Sequence, residues 1–250
     1  MIGDNSMGYL YHGSQSSGIK RLEPHKSTHG NYIYATKYKE LAIIFSKKAG
    51  DNLTYSLFRN SCDEPWQLVE RIPSGLDLMF KNSASIYTVD DRTFKDIKTG
   101  FSELVSEVAV DVLEEEKIKN VYEKVKDLEN KGLIKIYYYP DKPKNIPSDD
   151  SDLLYREFKR FEHTIENINH ENFERLLLLH PQLLEKINTL ALSKNPNFMP
   201  FKKEDLIDIF DKFVCIQKTI PTREQFLKSA IISISSIYPE FTKTLKKKLK

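Results

Sequence analysis

Apolar and polar positions change their rhythm along this chain. Up to about residue 140, short runs rich in β-branched and aromatic residues predict strands: YLYH, YIY, NLTYSLF, WQLVERI, ASIYTV, ELVSEVAV and LIKIYYY. In ELVSEVAV the alternation places Leu104, Ser106, Val108 and Val110 on one face, with Glu103, Val105, Glu107 and Ala109 on the other. Tyr32 and Tyr34 likewise share a face while Ile33 takes the opposite one. Two helical patterns interrupt the strands. Tyr38 to Lys47 carries Leu41, Ala42, Ile44 and Phe45, and Asn120 to Asn130 carries Val121, Val125 and Leu128 before a stop at Gly132.

The stretch YPDKPKNIPSDDSD then places Pro140, Pro143 and Pro147 close together, which blocks both helix continuation and sheet pairing. It predicts a linker at 141–151 between a mixed domain at 8–140 and a helical domain at 152–250. Beyond it nearly everything reads as helix, including a stripe of Leu206, Ile209, Phe210 and Phe213. Thr222 to Gln225, after Pro221, has the form of a capping box. Pro181 either separates two short helices or starts the second. The fold class expected is α+β.

Composition changes this picture little. The 38 Lys and Arg nearly cancel the 36 Asp and Glu, so no global attraction to nucleic acid or membrane is expected. The terminal FTKTLKKKLK lacks a broad apolar face and reads as a solvated helix end. No apolar run approaches the roughly 18 residues of a membrane span, and the opening MIGDNSMG does not read as a signal peptide. Two cysteines, Cys62 and Cys215, lie far apart without a CxxC partner, which points to a reducing, cytoplasmic setting and no structural zinc.

Candidate chemistry gathers in three stretches. His12, Gly13 and Ser14 follow an apolar strand, where a histidine is either a packing detail or the edge of a ligand cleft. Tyr34 ends the second strand beside small Ala35 and Thr36; taken alone, it would cover a core. Glu103 enters a later strand, and taken alone it would be a solvated glutamate.

Taken in order, YHGS-x3-GI-x2-LEP, GNYIYAT-x5-A-x2-F and SELVSEVAV resemble the ADP-ribosyltransferase fold of the His-Tyr-Glu type. That group includes the poly(ADP-ribose) polymerases, diphtheria-type toxins and uncharacterised bacterial members. The resemblance covers roughly residues 8 to 138 and does not reach the helical part. It implies a split β-sheet core with a cleft, and NAD as substrate without a metal. His12 would bind a ribose hydroxyl of NAD, and the Gly13 main chain would hold the nicotinamide amide. Tyr34 would stack on the nicotinamide, with Ser14 and Ala35 in the same site. Phe45 would form another wall of the nicotinamide pocket, or equally belong to the core. Glu103 would be the catalytic group, facing the nicotinamide ribose, with Glu107 as its substitute if the strand register differs.

The resemblance further implies an NAD-dependent ADP-ribosyltransferase acting on a macromolecular acceptor: a protein side chain, a DNA base or an RNA end. A toxin or effector role would bring a neutralising partner protein. The alternatives are a non-catalytic NAD or ADP-ribose binding module and an NAD glycohydrolase. Phe101 stands where arginine-directed toxins carry Glu or Gln, so arginine modification is not supported. Glu103 argues against related folds that transfer a 2'-phosphate from RNA. Elsewhere, His25 and His29 lack an obvious third metal ligand, His163, His170 and His180 lack HExxH spacing, and Glu114 to Glu116 reads as a solvated patch. No Walker loop and no GxGxxG are present.

Overall fold

The computed structural model describes residues 8–27, 29–47, 53–161, 170–215 and 223–249; Thr222 and His163 lie outside them. The chain forms β1 (Tyr9–Ser14), β2 (Arg21–Leu22), β3 (His25–Lys26), β4 (Asn31–Thr36) and α1 (Lys39–Phe45). These are followed by β5 (Tyr55–Phe58), β6 (Trp66–Glu70), α2 (Gly75–Phe80), β7 (Ala84–Asp90), β8 (Glu103–Ser106) and β9 (Val110–Ile118). Then come α3 (Val121–Asn130), β10 (Ile134–Tyr137), α4 (Ser151–Phe161), α5 (His170–Leu179) and α6 (Leu184–Lys194). The described chain closes with α7 (Asp205–Cys215), α8 (Arg223–Ile237) and α9 (Thr242–Lys248). The class is α+β, with an antiparallel sheet early and helices late. Among the described residues, no helix is long and apolar enough to cross a membrane.

Two compact units interleave along the sequence. The first comprises residues 1–48, 61–66 and 79–135; the second comprises 49–60, 67–78 and 136–250. This differs from a boundary at the proline-rich stretch. The reason is that β5, β6 and β10 leave the main sheet and form a three-stranded sheet of their own, in the order β10-β6-β5. Leu53 and Ile72, which flank these strands, are buried in one apolar cluster with the helical residues Leu176, Leu206, Phe210 and Ile234. Of the stripe, Leu206, Ile209 and Phe210 are buried as the spacing predicts, and Phe213 is half-buried against the same cluster. Pro181 opens a short 3-10 turn between α5 and α6.

The linker reading at 141–151 meets a built feature. Asp150 has φ +64 and is 1% exposed, Arg71 is fully buried, and the Lys142 side chain is 6% exposed. Arg71 Nε and Lys142 Nζ lie 2.7 and 2.8 Å from Asp150 Oδ1. Arg71 Nη2 also reaches Asp152 Oδ1 at 2.5 Å. His180 donates from Nε2 to the Leu53 carbonyl at 2.7 Å and turns Nδ1 toward Asp150. Burial would raise the Asp150 pKa, but the adjoining His180, Lys142 and Arg71 together hold it below the ordinary aspartate value. The segment around Lys142 and Asp150 is therefore anchored within the second unit.

The first unit holds the larger sheet, in the order β2-β9-β7-β1-β4-β3, with β8 on the far edge of β4. One face buries Leu10, Leu22, Ile33, Ala35, Tyr87, Val89 and Val110. On α1, Leu41, Ala42, Ile43 and Ile44 are buried, and α3 buries Val121, Val125 and Leu128. Asn120 caps α3, its side chain accepting from the Tyr122 and Glu123 amides. ELVSEVAV does not form one strand. β8 ends at Ser106, whose hydroxyl bonds Thr93 and the Val108 carbonyl, and the chain restarts as β9 at Val110.

Candidate functional site

The site grows from an incomplete ladder. β1 pairs with β7 along its whole length, from Tyr9 opposite Asp90 to Ser14 opposite Ser85. With β4 it shares only Tyr11 opposite Thr36. Continuing that register would set Gly13 opposite Tyr34, but the strands part there. The His12 ring fills the gap: Nδ1–H donates to the Tyr34 carbonyl at 2.7 Å. A side chain thus replaces a main-chain ladder bond at the point where the sheet splits.

That bond fixes the histidine's chemistry. Burial lowers the His12 pKa, opposed by the Tyr34 bond, and His25 nearby lowers it further. The ring is therefore neutral at pH 7 with its proton on Nδ1, and Nε2 keeps a lone pair able to accept from a hydroxyl.

β8 lies on the other edge of β4, with Tyr34 opposite Val105 and Thr36 opposite Glu103. Tyr34 and Glu103 are therefore diagonal neighbours on one face, about 7–8 Å apart at the backbone. Thr36 donates from Oγ1 to the Ser102 carbonyl at 2.7 Å and so pins the entry of β8. Glu103 is half-buried. Burial pushes its carboxyl up to about 7, against a bond from Thr99 that favours the charged form. Glu107 is different: it is exposed beyond the strand end and paired with Lys95 at 2.7 Å. Of the two glutamates, Glu103 is the half-buried one on the strand beside Tyr34.

The Tyr34 hydroxyl belongs to the turn before β4. Ser27 spends its hydroxyl proton on the Gly30 carbonyl, so Tyr34 donates to Ser27 Oγ at 2.6 Å, and His29 Nδ1 lies 3.3 Å away. The ring is held at its tip. Tyr32 meets it edge-on, with centroids 6.3 Å apart. Phe45, at the end of α1, packs edge-to-face on Phe101 at 5.4 Å, and Phe101 is exposed. This contact joins α1 to the segment leading into Glu103.

Gly13 has a packing reason to be glycine. A Cβ there would fall 2.1 Å from the Ala42 carbonyl oxygen and 2.9 Å from Ser46 Cβ, so the backbone of α1 lies directly on β1. Ala35 turns its side chain into the core. Ser14 is half-buried and accepts from the Ser16 amide at 3.1 Å.

A groove of about 980 Å³ also opens on the first unit, lined by Tyr9, Tyr11, Lys39, Thr88, Asp90 and Glu114 among others. It includes none of the seven candidate residues. Lys39 is paired with Glu116 at 2.6 Å and Asp90 with Arg92 at 2.8 Å, so much of its charge is already matched.

The residues missed by sequence reasoning are Tyr87 and Glu115. Glu115 lies in the middle of β9, opposite Tyr87; its Oε1 accepts from the Gly18 amide and the Ser85 hydroxyl and lies 3.2 Å from the Tyr87 hydroxyl oxygen. The Gly18 and Ser85 bonds hold its carboxyl below the usual glutamate range. A run of three glutamates gives no sign that the middle one is bonded. Compared with known proteins, the chain matches no family model, and no curated protein or solved structure is significantly similar to it.

Proposed function

We propose that the first unit binds NAD at the split between β1 and β4, cleaves its nicotinamide–ribose bond and passes ADP-ribose to a macromolecular acceptor. The observation that carries the reading is the junction itself: His12 bonded to the Tyr34 carbonyl, with a half-buried Glu103 diagonal to Tyr34 on the next strand.

The chemistry follows from these groups. The neutral His12 ring offers Nε2 to a ribose hydroxyl, and the Tyr34 ring offers an aromatic wall to the nicotinamide. The nicotinamide ring of NAD is cationic and leaves neutral, so departure needs little acid catalysis. The positive charge passes to a ribose of oxocarbenium character, where the Glu103 carboxylate is worth most. Glycoside cleavage uses carboxylates in the same way. Exposed Cys62 and Cys215, which form no disulfide, are in keeping with a reducing, cytoplasmic setting.

The test is incubation of the protein with NAD labelled in the adenylate part, with and without cell lysate. Label retained on macromolecules together with released nicotinamide supports transfer. Nicotinamide release without retained label makes water the acceptor. Binding of NAD without release leaves a binding module.

A further inference from the structure

We propose that Tyr87 and Glu115 form a positioning pair that fixes the Gln15–Ile19 loop beside His12 and sets the protein's affinity for NAD. The inference rests on the NAD reading above and assigns a role to two residues outside the three motif stretches.

Tyr87 is fully buried and stands directly opposite His12 across β1 and β7, with ring centroids 6.5 Å apart. Ser85, two residues earlier on β7, stands opposite Ser14. Glu115 gathers both: its Oε1 accepts from Ser85 Oγ at 2.7 Å and lies 3.2 Å from the Tyr87 hydroxyl. One carboxylate oxygen thus backs the cross-strand partners of two residues of the His12-Gly13-Ser14 stretch.

The same pair holds the loop that follows. Tyr87 has one hydroxyl proton, and its shorter bond, 2.8 Å, goes to the Ser16 carbonyl. The Ile19 amide donates to that hydroxyl oxygen at 3.2 Å, and the Gly18 amide donates to Glu115 at 2.9 Å. Gln15 to Gly18 are exposed, and Gly18 has φ +77, so little apolar burial orders this segment. Its conformation depends on a few polar bonds, and three of them end on Tyr87 or Glu115. The Gly18 amide ends on Glu115 because an ionised carboxylate is the strongest acceptor available to it. Loosening the pair would free the loop and the backing of His12 while leaving Glu103 on the far side of β4 untouched. The expected signature is therefore weaker NAD binding with turnover of bound NAD preserved.

The experiment measures NAD affinity by calorimetry, and KM and kcat by nicotinamide release, on wild type, Glu115→Ala, Glu115→Gln and Tyr87→Phe. Glu115→Ala should raise Kd and KM on the order of tenfold or more, the scale of losing charge-assisted hydrogen bonds, with kcat little changed. Glu115→Gln keeps an acceptor oxygen in place and should restore most of the affinity, which a purely electrostatic role would not allow. Tyr87→Phe keeps the ring against His12, removes the hydroxyl and should behave like Glu115→Ala; it carries the test if Glu115→Ala does not fold. Wild-type protein that binds NAD, with variants that bind it equally well or lose kcat at unchanged KM, overturns the positioning role alone. Wild-type protein that does not bind NAD overturns the NAD reading and this role with it.

Discussion

Replacing Glu103 with glutamine should make the protein more stable and less active at once, and the two effects should share one pH dependence. The carboxyl is raised from 4.5 to about 7 chiefly by burial. A glutamate whose folded pKa lies above its unfolded one favours folding fully below the unfolded pKa and loses that contribution as pH rises through the folded pKa. At pH 8 the charged Glu103 therefore costs the fold up to about 3 kcal/mol, an upper figure because the carboxyl keeps some contact with water. Glu103→Gln is neutral at every pH. It should gain up to that amount at pH 8 and almost nothing at pH 4. Urea unfolding followed through Trp66, the one tryptophan of the chain, reads the difference.

On the activity side, the free protein's kcat/KM should rise with pH and level off above about 7 as Glu103 ionises. The glutamine variant should fall by roughly a hundredfold or more, without that pH dependence. The cationic nicotinamide ring beside the carboxylate should lower its pKa, so NAD binding at pH 7 should release up to about half a proton, visible by calorimetry in buffers of different ionisation enthalpy. A variant no more stable than wild type at pH 8, or equally stabilised at pH 4 and pH 8, would refute the desolvated-carboxylate argument.

Tyr34→Ala should weaken NAD binding strongly. Tyr34→Phe keeps the ring, loses only the bonds to Ser27 and His29, and should bind nearly as wild type; equal losses in both by calorimetry would show that the hydroxyl matters more than the wall. Gly13→Ala forces a methyl against the Ala42 carbonyl and should destabilise the protein by about 1–3 kcal/mol in urea unfolding, with no change there contradicting the close packing of α1 on β1. Asp150→Asn leaves Arg71 and Lys142 without their buried counter-ion and should cost about 3–5 kcal/mol, read by circular dichroism of the helices. The wild-type Asp150 contribution is present above the unfolded aspartate pKa and lost as pH falls through its lowered folded value, so this variant's deficit should vanish in acid.

The parts of this fold written in local pattern were legible in the sequence. Runs rich in β-branched and aromatic residues located β1, β4 and β7, and the spacing of Val121, Val125 and Leu128 located α3. The candidate residues were legible as residue types in order, but not their geometry. That His12 would bond the Tyr34 carbonyl depends on a strand divergence that no local window encodes. Glu115 was illegible because its neighbours come from two distant parts of the chain, Gly18 from the loop after β1 and Ser85 and Tyr87 from β7. The proline-rich segment misled for a related reason. Proline density correctly excludes regular structure there, but it says nothing of a buried Asp150 meeting Arg71 from β6's far end. The break after Ser106, which expels Glu107 from the strand, arises from side-chain bonds to Thr93 and to the Val108 carbonyl that alternation does not register.

The central claim is that the split between β1 and β4 is a site of NAD cleavage, and one paired measurement on wild-type protein tests it: NAD affinity by calorimetry and nicotinamide release by chromatography, at pH 8 and with cell lysate present in the release assay. The account predicts saturable binding and release of nicotinamide, with release lost in Glu103→Gln while binding persists. Wild-type protein that binds NAD and releases no nicotinamide, or that does not bind it, would contradict the account.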